Sequence, residues 1–361
     1  MRHYLLTLGL LLPSLGFAAP GRTVDIRVID ETGKPVPRSH VLVHCSKEND
    51  VSEGGQAGFR ELTDVDGRWR YEFKPKWGLQ NVQVFLHEDE PEREVYPVWL
   101  EYFISYHRQE ASYDLTLPRI IHPVNLKAKV ESMSYRGKTS DDGKFTPHQE
   151  TPGTPVGFDL DLMQWLPPHG EGKRADFEVS VTSVQVGWRI SDFDLAWHRR
   201  MKEKSETEIA DRYGKWKRTA VITFPNPGDG ILRSPQFWPY CKLKMPHRAP
   251  EDGYRRECAL TETEEISLAT PYFEKLQHPY YSGYFLRVRS KLDAAGNVIS
   301  ANYAKFMLPR IGTTGFSATF FFNPRENDTN LEYSGVNLRP GPKDSNGEPM
   351  HDFNEVGYTD R

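Results

Sequence analysis

Two pairs of aspartates have the residue type and spacing for acid–base chemistry. They are Asp159 with Asp161 and Asp192 with Asp194. Side chains two apart on a β-strand share a face, so each pair would place two carboxylates about 6–7 Å apart. That separation suits hydrolysis of a glycosidic bond or coordination of a divalent cation. The simpler interpretation is a solvated face of a strand, which we predict over residues 156–165 for the first pair.

A second set of candidate residues is aromatic and falls in two proline-containing, loop-like stretches. Its members are Trp238, Tyr240, Tyr280 and Tyr281. Flat rings bury a large area at low entropic cost, and binding residues concentrate in loops. The set predicts a ligand platform, with carbohydrate or another cell-surface polymer as the ligand. Core packing is the alternative explanation for the same rings.

A cationic row lies in the clearest hairpin of the chain, which spans residues 284–308. Arg287, Arg289 and Lys291 alternate there with apolar residues, so they share one face of the predicted strand. Such a row can bind an anion, but a solvated face of a sheet produces the same pattern.

The familiar catalytic and metal-binding motifs are absent from the sequence. There is no His-Glu-x-x-His, Gly-x-Ser-x-Gly, Walker loop or Cys-x-x-Cys, and the 12 histidines show no ligand spacing. Residues 64–67 and 344–347 contain fragments of a calcium loop, but ordinary turn chemistry explains both. We therefore predict no cofactor and no metal site. An enzyme is not excluded, because many hydrolases assemble their sites from distant residues.

The amino terminus predicts export. A short basic start, an apolar run over residues 5–17 and a small-residue exit give residues 1–18 the layout of a signal peptide, cleaved after Ala18. No later stretch is apolar enough to span a bilayer. The formal net charge of −4, with both signs mixed along the chain, argues against nucleic acid as a partner. We predict a secreted or periplasmic protein.

The 3 cysteines of an exported chain allow one disulfide and one remaining thiol. Cys241 and Cys258 lie in a loop-like stretch, and pairing them would stabilise the fold by roughly 3 kcal/mol in the chain-entropy model. Cys45 lies on the same face of a predicted strand as Val41 and Val43. It is therefore expected in the core as a small hydrophobic residue.

The elements that must position these residues are strands. In residues 24–28 apolar and charged side chains alternate, which indicates a strand with one solvated face. Turns at Gly33 and Gly67 separate the first strands. Residues 19–122 predict a seven-stranded antiparallel β-sandwich. Residues 123–338 predict a larger β-sandwich-like domain with long loops, so the chain is all-β, and a polar, flexible tail is expected over 339–361.

Parts of the first region resemble a known family. Residues 32–37 (Thr-Gly-Lys-Pro-Val-Pro), the apolar strand at 41–43 and residues 62–69 (Leu-Thr-Asp-Val-Asp-Gly-Arg-Trp) resemble the carboxypeptidase regulatory-like domain family. The likeness covers about residues 23–117, apart from an acidic insert at 88–94. Members are transthyretin-like sandwiches appended to secreted proteins and are not catalytic, so the resemblance implies no active-site residues. The remainder resembles only uncharacterised secreted bacterial proteins.

These observations favour an exported, non-catalytic binding or structural protein. A secreted glycan hydrolase that uses the paired aspartates is the first alternative. The second is a subunit of an extracellular assembly, in which the aromatic loops would be buried against a partner chain.

Overall fold

The computed structural model is described here over most of the chain. The described residues are 22–47, 56–73, 77–86, 98–101, 110–139, 145–147, 151–189, 191, 195, 209, 213–238, 243–263 and 282–338. Within them, 20 strands form 5 sheets, and the predicted all-β class is confirmed. No helix among these residues is long and apolar enough to cross a membrane.

The first seven strands form two sheets that face each other, and we call them the first sandwich. The strands are β1 (Arg22–Ile29), β2 (His40–Lys47), β3 (Gln56–Leu62), β4 (Arg68–Phe73), β5 (Trp77–Phe85), β6 (Val98–Glu101) and β7 (Glu110–Thr116). One sheet has the order β4-β1-β7 and the other β3-β2-β5-β6. The pair β1/β7 is parallel, which differs from the wholly antiparallel sandwich predicted. The reason is that β7 follows β6 of the opposite sheet and joins β1 by a crossover rather than a hairpin.

The alternation predicted for β1 is what builds the core of the first sandwich. Val24, Ile26 and Val28 are buried, while the residues between them are partly exposed. Val41 and Cys45 of β2 meet them from the other sheet, and Cys45 is buried as predicted. Burying a single side chain of this size contributes about 1.5–3 kcal/mol.

The turn after β3 has the hydrogen bonds expected from its sequence. The Asp64 carboxylate accepts from the backbone N–H of Asp66 and of Arg68. Gly67 follows at φ +69°, and a Cβ there would lie 2.5 Å from the Val28 carbonyl oxygen. Only glycine fits this position without displacing β1.

The remaining strands form a larger arrangement, the second sandwich, with a two-stranded ribbon beside it. The strands are β8 (Val124–Ser134), β9 (Gly137–Thr139), β10 (Phe145–Pro147), β11 (Val156–Asp159), β12 (Gln164–Trp165), β13 (Phe177–Trp188), β14 (Gly214–Thr223), β15 (Gly230–Arg233), β16 (Glu257–Thr263), β17 (Gly283–Leu292), β18 (Val298–Ile311), β19 (Gly315–Asn323) and β20 (Tyr333–Asn337). A five-stranded sheet, β12-β11-β13-β14-β16, faces a six-stranded sheet, β15-β17-β18-β19-β8-β20. The ribbon is β10-β9.

Aromatic rings fill the space between these two sheets. Phe158 of β11 stacks on Phe320 of β19 with 4.5 Å between ring centroids. Phe322 joins the same core, whereas Phe321 points to the opposite face of β19 and packs in a separate core. The six-stranded sheet is therefore buried on both faces, which explains an unbroken run of phenylalanines within a strand.

The strand predicted over residues 156–165 is interrupted. It ends at Asp159, a turn follows, and β12 begins at Gln164. The carboxylate of Asp159 accepts from the backbone N–H of Asp161 and of Leu162, which closes the turn. A short side chain that bonds its own backbone competes with the sheet ladder, and here it ends the strand.

Residues 243–249 lie against both sandwiches, although the sequence indicated only a loop there. Leu243 is buried in the core of the first sandwich, and Met245, two residues later, is buried against the six-stranded sheet of the second. Gly283 of β17 leaves room for Met245, because a Cβ at Gly283 would collide with the Met245 sulfur. One short segment is thus anchored in two cores.

Candidate functional site

A polar cleft of about 600 Å³ opens in the second sandwich. Its charged lining residues are Arg174, Asp176, Asp229, Arg289, Lys291 and Glu326. Asn226 and Asn302 contribute amide groups. We call this site the Arg289 cleft.

A bulge in β17 places Arg289 in the cleft. The register with β18 shifts between Val288 and Lys291, and Arg289 has φ +58°. That conformation is uncommon for a residue with a side chain, and such strain concentrates at functional sites. The bulge is held by Asp229, whose carboxylate accepts from the backbone N–H of Arg289 at 2.9 Å and of Ser290 at 2.7 Å.

The guanidinium of Arg289 contacts two carboxylates and an aromatic ring. Its Nε and Nη2 each donate to Asp176 over 2.9 Å, and Nη2 lies 3.7 Å from Asp159 Oδ1. Its carbon sits 4.9 Å from the centre of the Phe322 ring. Burial lowers the pKa of Arg289, but the hydrogen bonds and charge of Asp176 outweigh this effect and raise it. The predicted anion site on this row is therefore already filled by Asp176.

The other two members of the cationic row are also engaged. Arg287 donates to the carbonyl oxygens of Gly228 and Glu251 and lies over the Tyr254 ring. Lys291 pairs with Glu326 at 2.6 Å. This hydrogen bond lowers the pKa of the Glu326 carboxyl.

The prediction that Asp159 and Asp161 share a strand face is wrong. Asp159 ends β11 and is buried; its second oxygen accepts from the backbone N–H of Lys173 at 3.0 Å and of Arg174 at 3.2 Å. Asp161 lies in the turn that follows and pairs with Lys127 at 2.6 Å. The carboxylate of Asp159 thus organises two backbone segments. Asp192 and Asp194 lie outside the described residues.

Asp229 is the cleft carboxylate whose pKa is raised. Burial raises it, and the backbone hydrogen bonds from Ser290 and Arg289 offset only part of that effect. Sequence reasoning missed Asp176 and Asp229, because each stands singly just before a strand and no spacing pattern marks it. Only the cationic row around Arg289 gave a signal for this site.

The aromatic platform is only partly within the described residues. Trp238 is partly buried and packs against the core of the first sandwich. Tyr240, Tyr280 and Tyr281 lie outside the described residues. Trp238 therefore takes the core-packing role that was the alternative explanation for these rings.

Cys258 has a free thiol in the structure, which differs from the predicted disulfide with Cys241. Cys258 lies on β16, pairs with Ile222 of β14 in the sheet and packs against the core of the second sandwich. Burial raises the pKa of its thiol, so the thiol form is favoured. Cys241 lies outside the described residues.

Metal-binding side chains do not converge in the part of the chain that the structure describes. No group of three or more His, Cys, Asp or Glu residues is placed there to hold a metal ion. The carboxylates of the Arg289 cleft instead face cations or backbone N–H groups.

Comparison with known proteins adds two solved structures of low similarity. A DUF3823 family protein from Parabacteroides merdae is 8% identical, with 85% of this chain and 97% of that chain covered and a TM-score of 0.18. The shaft pilin spaA from Lactobacillus rhamnosus is 13% identical, with 57% and 89% covered and a TM-score of 0.19. At these TM-scores neither likeness carries an argument about this chain. No family model and no curated protein matches it.

Proposed function

We propose that this chain is an exported, non-catalytic binding or structural protein, and that the Arg289 cleft is its binding site. The observation that carries this proposal is that the charged groups of the cleft are already held by partners. Asp176 is bound by Arg289, Asp229 by two backbone N–H groups and Glu326 by Lys291. A site built in this way presents a fixed polar surface rather than a reactive group.

The requirements of glycoside hydrolysis point away from catalysis at this cleft. That reaction needs two carboxyl groups facing each other across the bond, one of them protonated and free to give its proton to the leaving group. Asp229 has the raised pKa of an acid, but both of its oxygens accept backbone hydrogen bonds. Asp176 is held on both oxygens by Arg289.

The charge balance of the cleft favours a neutral, polyhydroxylated ligand. Arg174, Arg289 and Lys291 supply three cations, and Asp176, Asp229 and Glu326 supply three carboxylates. Sugar hydroxyls both donate and accept hydrogen bonds, so they suit a surface where donors and acceptors alternate at no net charge. We propose carbohydrate, or another cell-surface polymer rich in hydroxyl groups, as the ligand.

Export is part of the proposal and rests on the amino-terminal pattern. A chain cleaved after Ala18 would begin at Ala19. Amino-terminal sequencing of the protein from the envelope or the medium tests this directly. A product that still begins at Met1 would remove the exported part of the proposal.

The first sandwich is further proposed to be a carboxypeptidase regulatory-like module. Two turns that carry the resemblance support it. Asp30 accepts from the Thr32 and Lys34 N–H groups around Gly33, and Asp64 organises the turn that ends at Gly67. If the resemblance holds, the first sandwich is an appended domain without activity of its own.

Binding to an array of glycans and cell-wall polymers tests the function. The double substitution Lys291→Ala with Asn302→Ala removes two polar groups of the cleft, and we expect it to weaken binding of the best ligand at least tenfold. Lys217→Ala, on the solvated face of β14, is the matched control and should bind as the unaltered protein does. Equal binding by all three proteins, or a blank array, would reject the cleft as a carbohydrate site.

A further inference from the structure

His247 lies between the two sandwiches and contacts a carboxylate on each side. Its Nε2 is 3.1 Å from Glu31 Oε1, in the turn after β1. Its Nδ1 is 3.0 Å from Glu332 Oε2, just before β20. The side chain of His247 is 15% exposed and that of Glu332 is 1% exposed, so water competes little for the second contact.

The two contacts together specify a protonation state. A neutral imidazole has one donor nitrogen and one acceptor nitrogen, whereas ionised carboxylates only accept. Both nitrogens can therefore donate only when the ring is an imidazolium. Removing one proton turns one of the two hydrogen bonds into a contact between a lone pair and a carboxylate.

The same carboxylates hold the chain that joins the sandwiches. Glu332 accepts from the backbone N–H of Ile121 and of His122, each at 2.9 Å, and Glu31 accepts from the N–H of Arg119 at 2.7 Å. Imidazole, both carboxylates and the connecting segment thus form one hydrogen-bonded unit. The titratable and charged side chains around His247 are Asp30 and Glu31 of the first turn, Arg119 and His122 of the connection, Arg248 of its own segment, and Glu332.

We propose that His247 is a proton-controlled latch between the two sandwiches, closed when its ring is an imidazolium and loosened when the ring loses a proton. When the latch is closed, the imidazolium donates a hydrogen bond to Glu31 and another to Glu332. Both carboxylates then keep the connecting residues 119–122 in place. When the latch is loosened, one of the two carboxylates loses the imidazole from among its donors, and the backbone N–H groups held by that carboxylate become easier to open.

The pH window of the latch follows from the groups that form it. Burial raises the pKa of Glu31, but the hydrogen bonds from His247 and from the Arg119 N–H outweigh it, so the net shift is downward. A carboxyl with a lowered pKa stabilises the fold above its ordinary value and loses this effect as the pH falls through the lowered one. Only the imidazolium donates to both carboxylates, so the latch loosens in the direction of rising pH.

Amide hydrogen exchange of the full-length protein tests the latch, because the amides of Arg119, Ile121 and His122 are its direct partners. The amide of Arg119 reports on Glu31, and those of Ile121 and His122 report on Glu332. On the carboxylate that loses its imidazole donor, protection factors corrected for the intrinsic pH dependence of exchange should fall about tenfold from mildly acidic to mildly alkaline pH, the worth of one charge-assisted hydrogen bond. Glu31→Gln should abolish this step while keeping protection, since an amide can face either form of the ring.

Two further variants decide between the latch and a general effect of pH. His247→Gln should give low protection of the same amides at both pH values. His122→Gln is the matched control, because only its backbone contacts Glu332, and it should keep the step seen in the unaltered protein. A step that persists in His247→Gln, or protection that is equal at both pH values in the unaltered protein, would overturn the proposal.

Discussion

Arg289 contacts several of the charged groups in and around its cleft. Its guanidinium binds Asp176 through two hydrogen bonds, approaches Asp159 and covers the Phe322 ring, while its backbone N–H is held by Asp229. Buried carboxylates are costly unless they are paired, so the three aspartates depend on this residue and on backbone donors. The sequence singled out Arg289 only as one of three alternating cations.

Removing the guanidinium should therefore lower the stability of the fold substantially. Arg289→Met is expected to lower the free energy of unfolding by about 3 kcal/mol, the low end for a broken buried ion pair. The buried Asp176 carboxylate would keep only the Leu160 backbone N–H and the more distant Arg174 guanidinium as partners. Lys291→Met, two residues along the same strand, breaks only an exposed pair and should cost less than about 1 kcal/mol. Denaturant unfolding of both variants measures the difference. Equal losses would show that Asp176 does not depend on Arg289.

The pKa values of the Asp229 and Asp161 carboxyls should be shifted in opposite directions from that of an ordinary aspartate. Burial raises the pKa of Asp229, whereas the hydrogen bond from Lys127 lowers that of Asp161. A pH titration followed by carboxyl ¹³C NMR should place Asp229 above an ordinary aspartate and Asp161 below it. Lys127→Met should return Asp161 to the ordinary range and leave Asp229 unchanged. Asp229 titrating below Asp161 would contradict this account of their surroundings.

At the scale of elements, the alternation of apolar and charged residues along a strand is the feature that the sequence predicts best. The alternating residues of β1 predicted its buried face, and the turns around Gly33 and Gly67 were also predictable from residue type. The break after Asp159 was not predicted, although its turn is closed by the local N–H groups of residues 161 and 162. The second oxygen of Asp159 binds the backbone of residues 173 and 174, which only the fold brings close. The bulge at Arg289 likewise depends on Asp229 of a distant segment.

The two turn glycines of the first sandwich should respond differently to substitution. Both have positive φ, so Gly33→Ala should cost about 1–2 kcal/mol from backbone strain alone, since its Cβ would meet nothing within 4 Å. Gly67→Ala should cost roughly 1–3 kcal/mol more, because its Cβ would collide with the Val28 carbonyl oxygen. Thermal or denaturant unfolding checks the order. A larger loss for Gly33→Ala would refute the proposed close approach of Gly67 to β1.

At the scale of the whole molecule, long-range contacts tie the two sandwiches together. Leu243 and Met245 are buried in separate cores, and His247, two residues later, bridges Glu31 and Glu332. The sequence predicted two β-rich regions but read this segment as a loop, because no periodic pattern marks residues that alternate between two cores. The Arg289 cleft was equally hidden, since its carboxylates come from segments far apart in the chain.

The Arg289 cleft is proposed to be a non-catalytic binding site. Hydrogen–deuterium exchange of the full chain, with and without the polymer that binds best, tests this most directly, provided the polymer's length is followed in the same samples. We expect added protection around residues 226–229 and 289–302 and no shortening of the polymer. Protection centred instead on the aromatic residues around Trp238 and Tyr280, or shorter polymer products that disappear in Asp229→Asn, would contradict it.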